Sequence, residues 1–200
     1  MTDEPLSSQI AIPDPLSDEE RKILLALARR SIERAVNEQT SLELDLESYS
    51  NRLREPGATF VTLTDCGELR GCVGTLEAYQ TLVQDVCEHA VAAALEDYRF
   101  LPVAPEEVSR LSIEISRLTQ PQPVVYETPE DLLKKLRPMV DGVILRDGLR
   151  RATFLPQVWE KIPDAAAFLD HLCQKMGGPS SLWRRKPLTV AVYQVEEFHE

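Results

Sequence analysis

Residues 59–76 read TFVTLTDCGELRGCVGTL, and this stretch decides the fold class. Thr59–Thr64 is rich in β-branched residues and predicts a strand. Asp65-Cys66-Gly67 supplies turn chemistry, and Glu68–Leu76 runs back as a second strand, so the pair predicts a hairpin. Helical patterns flank it on both sides. Upstream, Ser17-x-x-Glu20 is a capping box, followed by Ile23, Leu24, Leu27, Ala28, Ile32, Ala35 and Val36 on one helical face. Downstream, a helix over about 80–96 turns Leu82, Val83, Val86, Ala90 and Ala94 inward. Residues 110–118, RLSIEISRL, alternate strictly and predict a strand with one buried face.

The second half repeats the mixture. Pro121 and Pro123 interrupt the chain and predict a joint between two lobes near 120. Thr128-Pro129-Glu130-Asp131 combines a cap residue, a first-turn proline and early acids, a helix start. Within 142–155, GVILRDGLRRATFL, Asp147-Gly148 separates two strand-like runs and predicts a hairpin. Asp164 opens a last helix with Phe168, Leu169, Leu172, Cys173 and Met176 inward, stopped by Gly177-Gly178-Pro179. Leu188–Val195 reads as one final strand. Helices and hairpins in this order predict an α+β protein with mixed or antiparallel sheets and flanking helices, not a doubly wound sheet. Residues 1–16, with three prolines, read as an N-terminal arm ahead of a single two-lobed domain over 17–198.

The 200 residues include 33 acids against 22 bases, a formal charge of −11, with 43% hydrophobic residues. That size and balance suit a folded domain with a real core. The acidity argues against a general binder of nucleic-acid backbones, which needs a basic surface. No apolar run approaches the roughly 18–20 residues of a membrane span. The acidic, proline-broken start shows neither a signal nor a transit pattern, so cytosol is the expected compartment. The bases are unevenly spread. From 137 to 187 there are nine bases and five acids, which leaves −15 on the rest of the chain. Such a segment offers a surface for a phosphate, a carboxylate or the acidic half of the same protein, the plainer alternative being internal ion pairs. Arg150 and Arg151, as strand neighbours, would point to opposite faces.

Cys66, Cys72, Cys87 and Cys173 show no CxxC spacing, so no familiar zinc pattern exists and no metal site is expected. Cys87 and Cys173 fall on apolar helical stripes and read as core packing. His89, one helical step from Asp85, reads as half of an exposed ion pair, and His171 looks similar.

Cys72 is different. Strict alternation along Glu68–Leu76 would set Leu69, Gly71 and Val73 on one face and Arg70, Cys72 and Gly74 on the other. Arg70 would then stand about 7 Å from Cys72, near enough to favour the thiolate and to bind a small anion. Glycines inside a strand are costly unless a ligand or another backbone approaches closely, which makes Gly71 and Gly74 candidate ligand-binding positions. In 110–118 the polar face carries Ser112, Glu114 and Ser116; meeting Arg70 and Cys72, it would form a polar cleft. Cys72 is then the candidate nucleophile, Glu114 the proton carrier, and Arg70, Gly71, Gly74 and Ser116 the ligand contacts. The plainer reading is a packed thiol, with Arg70 bridging to a carboxylate and the glycines easing a twist.

These residues also carry a resemblance. Leu69-Arg70-Gly71-Cys72-Val73-Gly74-Thr75 resembles the signature of the AMMECR domain family, which includes the A protein of the AmmeMemoRadiSam system. The likeness continues through Asp97-Tyr98-Arg99-Phe100, Ile113-Glu114-Ile115-Ser116, Asp141-Gly142-Val143-Ile144, Thr153–Trp159 and Phe168–Gly177, and covers roughly 17–198 in order. Two positions depart: Tyr98 stands where the family commonly has proline, and Met176 where it has alanine. The resemblance implies a two-lobed α+β fold with the motif lining a cleft between lobes. It also implies a radical S-adenosylmethionine enzyme and a Memo-like protein as partners. It implies no particular reaction and leaves the cofactor unknown, and the chain lacks the closely spaced cysteines of an iron–sulfur site, so any such cluster would belong to the partner. Three functions follow: a cysteine-centred enzyme or modification factor, a non-catalytic adaptor for a partner or small anion, and, weakest, a nucleic-acid-associated regulator.

Overall fold

Strand pairing divides the protein into two sheets, each belonging to its own compact unit. A computed structural model describes residues 15–38 and 40–200. The expected arm falls largely outside the described residues; its last residue, Leu16, is buried and donates its N–H to Glu196 Oε1 at 2.9 Å.

The first unit takes in 15–118 and 196–200. Helix α1 (Asp18–Glu33) begins with the capping box read from Ser17 and Glu20 and continues into a short π-helical segment, Arg34–Glu38. A single turn, α2 (Asn51–Arg54), leads into β1 (Pro56–Asp65), which turns back as β2 (Glu68–Gly74). Cys66 and Gly67 both have positive φ, 53° and 83°, the backbone a tight hairpin turn requires. The short β3 (Gln80–Thr81) pairs with the start of β1, and Thr81 caps α3 (Leu82–Leu95). Then β4 (Leu111–Leu118) pairs antiparallel with β1 along its whole length. The sheet order is β2-β1-β4-β9, with β9 (Val195–His199) contributed by the chain end. Val61, Leu63, Ile113 and Ile115 face α1 and α3 in one core.

The second unit takes in Thr119–Val195. Its sheet has the order β5-β8-β6-β7, from β5 (Gln122–Pro123), β8 (Thr189–Tyr193), β6 (Gly142–Asp147) and β7 (Arg150–Phe154). Helix α4 (Pro129–Lys135) starts at Thr128, as its sequence demands. The one-turn helices α5 (Val158–Lys161) and α7 (Leu182–Arg185) bracket α6 (Ala165–Lys175). Trp159 stacks on Phe168, ring centroids 3.6 Å apart, at the centre of this core. Gly177, at φ 80°, ends the helical run in the left-handed conformation.

The α+β class and the antiparallel pairing are as expected, with two departures. Leu188–Val195 is not one strand: the chain breaks at Gln194, leaving β8 in one sheet and β9 in the other. The apolar residues run almost unbroken across this point, so sequence patterning offers no boundary. His89 is not exposed. It is buried on α3, 3.2 Å from Asp85 Oδ2, and Thr59 donates to the same oxygen at 2.6 Å. Within 137–187 at least four of the nine bases pair with acids of the same segment: Asp141 holds Arg137, Asp147 holds Arg150 and Lys186, and Asp170 holds Arg184, so the net surplus of four stays in the segment. No helix among the described residues is long and apolar enough to cross a membrane.

Candidate functional site

Cys72 lies in β2, the edge strand of the first unit's sheet, directly opposite Thr62 of β1. Thr62 is in turn directly opposite Glu114 of β4. Side chains facing each other across adjacent strands share a sheet face. Cys72, Thr62 and Glu114 therefore form one row on the face turned away from α1 and α3. The Thr62 hydroxyl donates to Cys72 Sγ at 3.3 Å. Two strand spacings separate the Cys72 and Glu114 backbones, on the order of 10 Å, with Thr62 between them. The Glu114 carboxylate is partly exposed and has no hydrogen-bond partner among the described residues. The next row along the sheet is Gly74, Phe60 and Ser116.

Strict alternation fails at Arg70. Leu63 pairs with Gly71 but Thr64 pairs with Leu69, so Arg70 is the extra residue of a β-bulge. Its guanidinium closes on Glu107, Nε to Oε1 at 2.8 Å and Nη2 to Oε2 at 3.0 Å, and Nη1 donates to the Leu101 carbonyl at 2.9 Å. The Arg70 guanidinium and the Ala104 N–H hold the Glu107 carboxyl down to about 2. Arg70 is thus a staple to the 101–107 loop, the carboxylate bridge of the plainer reading, and its charge is already matched.

The two glycines make room for the protein itself. A Cβ at Gly71 would run into the carbonyl oxygen of Ala93, so the glycine lets α3 lie directly on β2. A Cβ at Gly74 would meet the Phe60 ring and the Thr59 carbonyl. Gly71 therefore faces the helix side, and the space beside Gly74 is filled by Phe60. Ser116 is buried beside Phe60. Of the residues expected at a site, the fold brings Cys72, Glu114 and Ser116 to one face, and withdraws Arg70 and Gly71 from it.

What alternation could not supply is the clamp on the Cys72 peptide. As part of an edge strand, that peptide has no neighbouring strand on its open side. Asp97 Oδ2 accepts the Cys72 N–H at 2.8 Å, and Arg99 Nη2 donates to the Cys72 carbonyl at 3.2 Å. Arg99 grips Asp97 through Nε at 2.8 Å and Nη2 at 2.6 Å. Hydrogen bonding to Arg99 holds the Asp97 carboxyl far below the usual carboxylate range, and Arg99 is raised in return. The only sequence clue was Asp97 and Arg99 flanking Tyr98 just after α3; their contact with Cys72 spans 25 residues or more of chain.

The remaining thiols differ. Burial pushes Cys87 and Cys173 up. Cys66, exposed at the hairpin tip, is raised by its hydrogen bond with Asp65. A shallow cavity of about 440 Å³ lies there, lined by Asp65, Cys66, Glu68, Leu69, Arg70 and Arg110. Among the described residues, no group of three or more His, Cys, Asp or Glu is arranged to hold a metal ion.

Comparison with known proteins gives one consistent result. The family model described as AMMECR1 matches residues 25–198. A protein of Methanothermobacter thermautotrophicus is 37% identical over 191 residues, covering 93% of this chain and 97% of that one. Protein MJ0810 of Methanocaldococcus jannaschii is 33% identical over 192 residues, covering 92% of each. The crystal structure titled Uncharacterized Protein PH0010, from Pyrococcus horikoshii, superposes with a TM-score of 0.78 at 32% identity, covering 92% of this chain and 93% of that one.

Proposed function

The chain belongs to the AMMECR1 family, and on that premise we propose that it acts through Cys72 as a reacting thiol, with Glu114 as proton carrier. The observation that carries this reading is the row Cys72–Thr62–Glu114. A hydroxyl donates to the sulfur, and a carboxylate with no hydrogen-bond partner among the described residues stands one strand further along. The thiolate is the nucleophilic form of cysteine, and a hydroxyl donor at the sulfur is a group that can solvate it. In such a step the thiolate sulfur attacks an electrophilic carbon, the leaving group departs with the electron pair of the bond that breaks, and the thiol proton is taken up by Glu114 through solvent on the open face, while Thr62 keeps its O–H on the sulfur. The clamp from Asp97 and Arg99, the bulge at Arg70 and the contact of Gly71 with α3 fix the Cys72 backbone from three directions. Held backbone of this kind preorganises a reacting group. A radical S-adenosylmethionine enzyme and a Memo-like protein are the partners in this proposal, on the family resemblance alone.

Competitive labelling of the folded protein with iodoacetamide at neutral pH, read by mass spectrometry, tests it. Cys72 should label faster than the more exposed Cys66 by about tenfold, and Glu114→Gln should slow it. If Cys72 labels no faster than Cys66, it is not a reacting thiol. If a Cys72→Ala protein also retains the partner on co-purification, the polar face serves docking instead.

A further inference from the structure

We infer that Arg99, and not Arg70, is the anion-recognising residue of the Cys72 site, so that the substrate of the thiol carries a carboxylate close to its electrophilic carbon. The inference rests on the reading of Cys72 as a reacting thiol and names the class of molecule it would take.

Three observations support it. Arg99 lies at the open edge of β2, its Nη2 3.2 Å from the Cys72 carbonyl oxygen. The Asp97–Arg99 pair is also lopsided. The Asp97 side chain is 4% exposed and accepts from the Cys72 N–H and from the N–H, Nε and Nη2 of Arg99, so its capacity is spent inward. The Arg99 side chain is 43% exposed, and its Nη1 has no hydrogen-bond partner among the described residues. A buried carboxylate behind an exposed guanidinium presents a positive end to solvent although the pair is formally neutral. Lastly, Arg70 has both edges of its fork on Glu107 and a carbonyl on Nη1. It has no comparable group to offer.

The order along the row is then Arg99, Cys72, Thr62, Glu114. An anionic group is received on the edge side of the sulfur, and the proton is carried on the opposite side. Separating a cation from a carboxylate in this way keeps Glu114 from repelling the group that Arg99 attracts.

Iodoacetate and iodoacetamide attack the same sulfur with the same leaving group and differ by one negative charge. Their rate ratio at Cys72 therefore reports attraction for a carboxylate and cancels changes in the thiol itself. In the folded full-length chain the ratio should exceed that of Cys72 in the urea-unfolded chain by about threefold, and rising NaCl should erase the excess. Arg99→Gln should bring the ratio down to the unfolded value, Arg99→Lys should keep most of it, and Arg70→Gln should lower it far less than Arg99→Gln. A folded wild-type ratio equal to the unfolded one overturns the inference without any variant. So does a ratio that Arg70→Gln lowers as far as Arg99→Gln. The absolute iodoacetamide rate tests the thiol reading separately, so the two can fail independently.

Discussion

Arg70 pairs bidentately with Glu107, 37 residues away, and not with the cysteine two residues along its own strand. The side chains are 16% and 22% exposed, so water screens the pair only in part. Two parallel charge-assisted bonds in such a setting exceed an ordinary surface ion pair. Glu107→Gln should therefore destabilise the protein by about 1–3 kcal/mol. The pH dependence follows from the depressed carboxyl. Its stabilisation is complete above the unfolded value near 4.5 and fades as pH falls toward about 2. Thermal melts from pH 6 downward should show wild type and Glu107→Gln converging at the acid end.

His89 gives the opposite sign. Burial alone would push it down, but the hydrogen bond to Asp85 and the charges of Asp85 and Glu88 outweigh burial, and the group is raised. A raised histidine contributes fully below its unfolded value, near 6.5, and the contribution disappears as pH rises through the folded one. His89→Gln should lower the melting temperature more at pH 5.5 than at pH 8.5. Equal losses at both would mean that packing and not charge holds the pair.

Gly71 should tolerate no side chain. Gly71→Ala forces a methyl group into the Ala93 carbonyl, and backbone cannot swing aside as a flexible side chain could. The cost should reach about 1–3 kcal/mol, measurable as a shifted urea midpoint. Gly67→Ala is the useful contrast, because that position is open but has φ 83°, so strain and not collision sets its penalty.

Glu196 ties the chain end into the first unit. Its carboxylate, 2% exposed, accepts from Arg21, Arg117 and the Leu16 N–H. Glu196→Ala would take a buried acceptor away from two arginines, and about 3–5 kcal/mol of stability should go with it. Denaturant unfolding measures this directly. A loss under 1 kcal/mol would show that water replaces the carboxylate.

The sequence alone determined the local elements and their class, because each rests on forces acting within a few residues. Ser17 and Glu20 cap a helix wherever they occur, Gly67 and Gly148 accept positive φ, and β-branched Thr59–Thr64 prefers a strand. It also set Cys72 on the polar side of β2 and Glu114 on the polar side of β4, since period two holds along β4 and from Gly71 onward in β2; that the two sides form one face follows from the pairing of both strands with β1. Only tertiary structure decided the rest. The bulge that removes Arg70 from the alternation is fixed by Glu107, the glycine at 71 is demanded by α3, and Arg99 reaches Cys72 across 27 residues. His89 became a core residue because β1 supplied Thr59 beneath it through Asp85. Gln194 became a boundary because the strands on either side of it pair in different sheets. Hydrogen bonds to an edge strand, close backbone approach and ion pairs between distant residues depend on where the folded chain meets itself. No periodicity in the sequence records that.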